Sequence, residues 1–363
     1  INSSDDFDRM LSDFAWSWLP LPIRRRLGGC LALLFVLRYG SVLHTPFSGF
    51  AFSGSSLWRL EGWLLRRARI PVVILPIGGD IYLYSRILDP SIRYGLLADY
   101  PGPGRHEGRV AKKVQYWVKH ADIVLSGLML DGIGRWDVTT PQYMVVNTDE
   151  WKPPLSRTCH DGSSGPVTVV HCPNHRHVKG TEFIVNAVTT LCDEGLDVEL
   201  LLLEGIPNDE VQNVLQRADI LVDQLVLLGY ALSAIEGMGA GLPVLTNLDN
   251  DLYTQLYRRY SFLDECPILS TTPETVTANL RALVTSPDLR QKLGGAGREY
   301  ATKYHSYSAA QYLFSSIYKH LSDPDSIDIL WLYHPLLGDL CRSGSPVVHP
   351  LVRNRLVDNS VDK

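Results

Sequence analysis

The sequence predicts an α/β protein of two domains, each a parallel sheet flanked by helices, and three observations carry that prediction. At 363 residues the chain exceeds what one ordinary core holds, and a hydrophobic fraction of 45% is enough to fill two. Short β-branched or aliphatic runs alternate with longer amphipathic stretches, which is the pattern of βαβ units. Two such series are separated at 147–166 by a linker composition that carries Pro153, Pro154, Gly162, Ser163, Ser164 and Gly165.

In the first series, strands are expected at 41–44, 71–77, 121–126 and 142–146. In the second they are expected at 167–171, 198–203, 220–222 and 243–246, with helices starting near Thr181, Glu210 and Tyr230. The first domain therefore spans 1–150 and the second 166–306. Residues 307–363 read as a helix followed, from Pro324, by a tail of Pro, Gly and Ser with little periodicity. The longest apolar run, 27–37, falls short of the roughly 20 residues that cross a membrane. Entered through Arg24-Arg25-Arg26, it suits a buried helix of the fold or, as a minority reading, peripheral contact with an anionic membrane surface.

A net charge of -5 supplies no global basic field, so nucleic acid is not expected as a partner. The six cysteines, Cys30, Cys159, Cys172, Cys192, Cys266 and Cys341, contain no C-x-x-C pair. That pattern argues against a zinc site or a disulfide framework and for a reducing compartment, the cytoplasm, with the inner membrane face as the place of any peripheral contact.

Two segments carry chemistry. The first, 169–181, is a buried-type strand, a loop with Asn174, Arg176 and Lys179, and then a helix start at Thr181. A helix N-terminus and two cations make an anion site in outline, although a solvated basic loop has the same pattern. The second, 228–244, is more specific. Gly229 permits close backbone approach, a helix starts near Tyr230, and Glu236 follows about one and a half turns later among small residues. An ionised carboxylate there is able to accept both hydroxyls of a ribose, or to pair with an arginine or a backbone N–H.

With Asp219-Ile220-Leu221-Val222-Asp223-Gln224 ahead of the second, these segments resemble the donor-binding half of the glycogen-synthase-like retaining glycosyltransferases, glycosyltransferase family 4 or group 1. The resemblance extends through Ser286-Pro287-Asp288-Leu289-Arg290 to Tyr304-His305-Ser306. It implies the GT-B architecture, two Rossmann-like domains whose parallel sheets face a central cleft. It also implies that Lys179 and Arg176 hold a donor diphosphate, that Gly229, Tyr230, Ala231, Leu232 and Ser233 face phosphate and hexose, and that Glu236 holds the ribose. Two positions depart from the family: Leu228 stands where its first acid falls, and Asn174 where it has an arginine, so Arg176 serves from a different angle.

The first half resembles the family in Val42-Leu43-His44-Thr45-Pro46-Phe47 and in Val73-Ile74-Leu75-Pro76-Ile77-Gly78-Gly79-Asp80-Ile81. His44 is then the cleft histidine, and Gly78, Gly79 and Asp80 form the acceptor-side turn, with Arg86 and Arg105 as further contacts. A strand-end histidine is more often a satisfied structural residue. The chain opens on Ile1-Asn2-Ser3-Ser4 where this fold has a strand and a glycine-rich turn, so its opening βα units are expected to lie upstream of the sequence given.

The expected activity is transfer of a sugar, of hexosyl type, from a nucleotide diphosphate sugar to the hydroxyl of a glycan, lipid-linked or small-molecule acceptor. Retention at the anomeric carbon is implied by the resemblance. No metal or other cofactor is expected, because cationic side chains and a helix dipole stabilise the leaving diphosphate. Three rivals stand beside it: a sugar-nucleotide-binding subunit without turnover, a GT-B sugar-nucleotide epimerase, and a metal-dependent transferase using Asp249-Asn250-Asp251 as a D-x-D motif.

Overall fold

The computed structural model describes residues 21–130, 132–154 and 157–357. The opening Ile1-Asn2-Ser3-Ser4 lies outside them. Two compact units form, and neither is a continuous stretch of chain. The first is built from the described residues of Ile1–Leu83, His106–Leu125 and Asp131–Asp137, and the second from those of Tyr84–Arg105, Ser126–Leu130 and Val138–Lys363. Residues 84–105 and 138–150, which the sequence reading places in the first domain, pack in the second unit.

In the first unit, three short parallel strands lie in the order β1 (Leu43–Thr45), β2 (Val72–Ile74), β3 (Ile123–Val124). Leu43 pairs with Val72 and Val73 with Ile123. Every residue of β2 and β3 is buried, as expected of parallel strands covered on both faces. Helix Leu21–Tyr39 precedes the sheet, and helices Trp58–Arg67 and Glu107–His120 cover it through Leu65, Val114 and Trp117. Charged groups here bind backbone. Glu61, buried, accepts the N–H groups of Phe50 at 2.8 Å and Phe52 at 2.9 Å, while Lys113 donates to the carbonyls of Ser48 and Ser53 at 2.8 Å.

The second unit holds a five-stranded, all-parallel sheet in the order β5 (Val198–Leu202), β4 (Val167–His171), β6 (Ile220–Val222), β7 (Val244–Thr246), β8 (Leu269–Ser270). One face is covered by helices Thr181–Asp193 and Val276–Val284, whose Ile184, Leu191, Leu280 and Leu283 bury against Val169, Ile220 and Leu245. On the other face, helix Leu232–Gly239 lies close to the sheet because Gly237 has no side chain: a Cβ there would strike Leu221. The small residues of 237–241 are thereby accounted for by packing. Helix Pro287–Tyr304 approaches so closely that a Cβ on Gly294 would meet the carbonyl of Gly241.

Four expectations differ from the structure. Residues 142–146 are not a strand: the Gln142 side chain takes the N–H groups of Tyr143 and Met144, and the Val146 N–H goes to His305 O, so no ladder forms. Strand β8, only two residues long, was not anticipated. Helix Pro90–Asp99, capped by Asp89, belongs to the second unit, where Gly95 packs against Val226 and Val178. The tail is irregular but anchored, with helix Asp339–Ser343 and a hairpin of β9 (Leu351–Val352) and β10 (Arg355–Leu356), and Asn354 accepts the Ser270 N–H through its carbonyl at 2.7 Å.

Candidate functional site

In an open parallel sheet, ligands bind beyond the carboxyl ends of the strands where the strand order reverses. In the second unit that point lies between β4 and β6, since the chain runs to β5 on one side of β4 and to β6 on the other. The two segments singled out in the sequence leave the sheet here.

His171 ends β4. Its Nδ1–H donates to Val222 O at 2.8 Å, so Nε2 accepts the Thr181 hydroxyl at 2.9 Å. Burial lowers its pKa to about 4, keeping the ring neutral. It ties the ends of β4 and β6 to the start of helix Thr181–Asp193. Between them, Arg176–Lys179 makes one helical turn and stops at Gly180, whose φ of +72° suits the left-handed cap. That turn holds the chain leading into the second segment, because Leu225 N–H bonds to Lys179 O at 3.1 Å and Leu227 N–H to Val178 O at 3.0 Å.

Lys179 is buried, and its ammonium pairs with the carboxylate of Asp223, the residue that follows β6. Asp223 also accepts the Ser233 hydroxyl at 2.7 Å and the Ala231 N–H at 3.3 Å. Although burial alone would raise it, the Lys179 charge and these hydrogen bonds hold the Asp223 carboxyl below its ordinary range. Glu236 lies one turn into helix Leu232–Gly239 and is buried. Burial, with the Asp223 charge adding and a hydrogen bond from Asn208 opposing, pushes its carboxyl up to about 7. Burial and the charges of Asp223 and Glu236 likewise push the Cys172 thiol up to about 12.

The structure thus brings Lys179, Ala231 and Ser233 together on Asp223, with Glu236 in electrostatic reach. Other sequence-predicted residues are engaged elsewhere. Arg176, half-exposed, bonds Glu182 at 2.8 Å and Glu204 at 2.8 Å. Asn174 and Leu232 are exposed. Gly229, at φ +103°, gives its N–H to Asn247 O and its carbonyl to Gln224 and Thr246, so its backbone is bound within the chain. The Tyr230 hydroxyl sits with Tyr300 at 2.9 Å and with Nε2 of His305 at 3.2 Å, a wholly buried network. Leu228 is buried.

In the first unit His44 is half-buried in β1, and burial lowers its pKa. Asp80 accepts the Phe47 N–H at 2.8 Å and the Ile77 N–H at 3.0 Å, so both of its oxygens brace the turn in which Gly78 has φ +102°. Gly79 is exposed, and Arg86 and Arg105 are solvent-exposed in the second unit. The Asp249-Asn250-Asp251 triplet is a helix start: Asn250 caps helix Asp251–Tyr260, and Asp249 pairs with Arg355.

Asp223, His171 and Thr181 carry the site without having been assigned to it from sequence. A pair of polar residues, Asp223-Gln224, directly after an apolar run is the signal that could have pointed to the first.

No protein-family model matches the chain, and no curated protein matches it in sequence. Solved structures do. Sucrose-phosphate synthase from Thermosynechococcus elongatus superposes with a TM-score of 0.52 at 14% identity, covering 84% of this chain and 81% of that one. HepE from Anabaena in complex with UDP superposes at 0.51 and 15% identity, covering 80% and 82%. The fold is therefore GT-B, of the Rossmann-like α/β class.

Proposed function

We propose that the chain transfers a glycosyl group from a nucleoside diphosphate sugar to an acceptor hydroxyl. The observation that carries the reading is the convergence of Lys179, Ser233 and the Ala231 N–H at the switch point of the second sheet, one turn below a buried carboxylate. The structural likeness to HepE bound to UDP supports a nucleotide donor.

The difficulty in this chemistry is departure of the diphosphate, on which negative charge grows. Lys179 and the start of helix Leu232–Gly239 offer positive charge where it develops, and Arg176 adds to them once it leaves Glu182 and Glu204. Glu236 accepts the ribose hydroxyls, for which its carboxyl must lose the proton that burial favours. His44 and the turn Gly78, Gly79, Asp80 serve the acceptor, whether glycan, lipid-linked or small molecule. Transfer is of hexosyl type with retention, and these cationic groups do the work that a metal does in other transferases. Six free thiols support a cytoplasmic setting. No helix among the described residues is long and apolar enough to cross a membrane, while exposed Leu31, Leu34 and Phe35 on helix Leu21–Tyr39 support peripheral contact.

Buried Leu228, in place of an acid that meets the donor hexose, favours a second reading: a sugar-nucleotide-binding subunit without turnover. One experiment separates the two. Incubation with UDP-, GDP- and ADP-sugars, with and without a pool of acceptors, should release nucleoside diphosphate only when an acceptor is present. Thermal stabilisation by a nucleotide without release supports the binding subunit, and stabilisation by none of them refutes both.

A further inference from the structure

The donors that a diphosphate needs at this site are already in use. One oxygen of Asp223 takes the Lys179 ammonium and the Ser233 hydroxyl, and the other takes the Ala231 N–H. We propose that Asp223 is an internal competitor for the donor diphosphate, setting its affinity by holding the same three groups; the inference rests on the donor site proposed above.

The count of protons makes the competition unavoidable. The Ser233 hydroxyl and the Ala231 N–H carry one proton each, so neither serves Asp223 and a phosphate oxygen together at full strength. Lys179 carries three and bridges both anions. Binding is therefore an exchange, in which the diphosphate gains two donors only as Asp223 surrenders them and keeps Lys179 as its partner. Asp223 is fully enclosed and cannot turn out to water for replacements. Its charge also faces the incoming phosphates in a site of low dielectric. Both effects weaken the bound state, and both speed departure of the nucleoside diphosphate after transfer, because Asp223 reclaims its donors as the product leaves. The loss of an acid at Leu228 and the presence of one at Asp223 thus fall in the same short segment, 223–228, with different roles.

The test is a calorimetric titration of inorganic pyrophosphate, UDP and uridine into the wild type and Asp223→Asn, which removes the charge and keeps the shape. Pyrophosphate and UDP should bind the variant about tenfold or more tightly than the wild type, the gain expected when a like charge is removed at close range. Uridine affinity should be unchanged. Pyrophosphate affinity that is equal or lower in the variant, or undetectable in both proteins, overturns the proposal. UDP that gains nothing over pyrophosphate in either protein removes the nucleotide reading and leaves the competitor role standing on the pyrophosphate arm. A second measurement needs no variant: the Asp223 13Cγ resonance of the wild type should move on adding pyrophosphate, as two hydrogen bonds leave it. An unmoved resonance at saturating pyrophosphate overturns the proposal equally.

Discussion

Beyond the carboxyl end of β2, Asp80 accepts the N–H groups of Phe47 and Ile77; beyond β6, Asp223 accepts from a lysine, a serine hydroxyl and one N–H. Both are carboxylates in loops that follow buried parallel strands. The first is spent on backbone that no ligand replaces, so it fixes the shape of a turn. The second is spent largely on side chains that have an alternative partner in any anion of suitable size, so it marks a place where a ligand is exchanged for an internal contact. Glu61 sides with Asp80, holding the 50–52 backbone. A carboxylate's partners therefore say more about its work than its burial does.

The largest effect should come from Lys179→Ala, which strands the Asp223 charge in the interior. Removing one partner of a buried pair costs about 3–5 kcal/mol, measured by denaturant unfolding. If the loss is under about 1 kcal/mol, as for an exposed pair, the site is open to water and the contrast with Asp80 fails.

Asp80→Asn comes next. It leaves one acceptor for two N–H groups, and losing a charged hydrogen bond costs about 1.5–3 kcal/mol. Nucleotide affinity should not change, and a parallel loss of UDP binding would tie this turn to the donor as well as to the acceptor.

Glu236→Gln should weaken UDP binding about tenfold, the value of one lost charged hydrogen bond. It should also alter the pH dependence of stability. The carboxyl rises from an ordinary 4.5 to about 7 on folding, so between those values the folded chain keeps a proton that the unfolded chain has lost. The Glu236 contribution to stability should fall as pH climbs from about 4.5 to 7 and then level off, by at most about 1.4 kcal/mol per pH unit from one proton, against the opposite trend from buried His171 and His305, whose pKa values burial lowers to about 4. The variant should therefore gain stability with pH more steeply than the wild type over this range; identical slopes would mean that Glu236 is not the titrating group.

Arg176→Ala should be the mildest, with little change in stability, because the pairs it makes are exposed and screened by water. A loss of UDP affinity in high salt, where those surface pairs are screened, would support the place given to Arg176 at the donor, and an unchanged affinity would remove it from there.

Much of this was legible in the sequence because it is local. Strands β4 and β6 appear as apolar runs with the right bounds and β5 within one residue of them, and the turn carrying Lys179 and the helix carrying Glu236 are the next helical elements after β4 and β6. What was not legible depends on distant partners. Asp223 lies within a motif that the sequence shows, but its pairing with Lys179 spans 44 positions. Residues 142–146 have a strand's composition, yet His305 and the Gln142 side chain claim their N–H groups. Helix Pro90–Asp99 joins the second unit through Asp99, which takes the Val178 N–H and the His177 ring at 2.8 Å each, and nothing within the helix announces that.

The central claim is that the switch point of the second sheet recognises a diphosphate through Lys179 and its neighbours. It is tested most directly by comparing UDP and uridine affinity in the wild type, in Asp223→Asn and in Lys179→Ala/Asp223→Ala, the last of which removes both charges and strands neither. The wild type should bind UDP at least about tenfold more tightly than uridine, and the double variant, in which the Ser233 hydroxyl and the Ala231 N–H are freed but the Lys179 charge is gone, should prefer UDP about tenfold less than Asp223→Asn does, since a single charged contact to phosphate is worth that much. A double variant that folds and still prefers UDP to the same degree as Asp223→Asn would contradict the account.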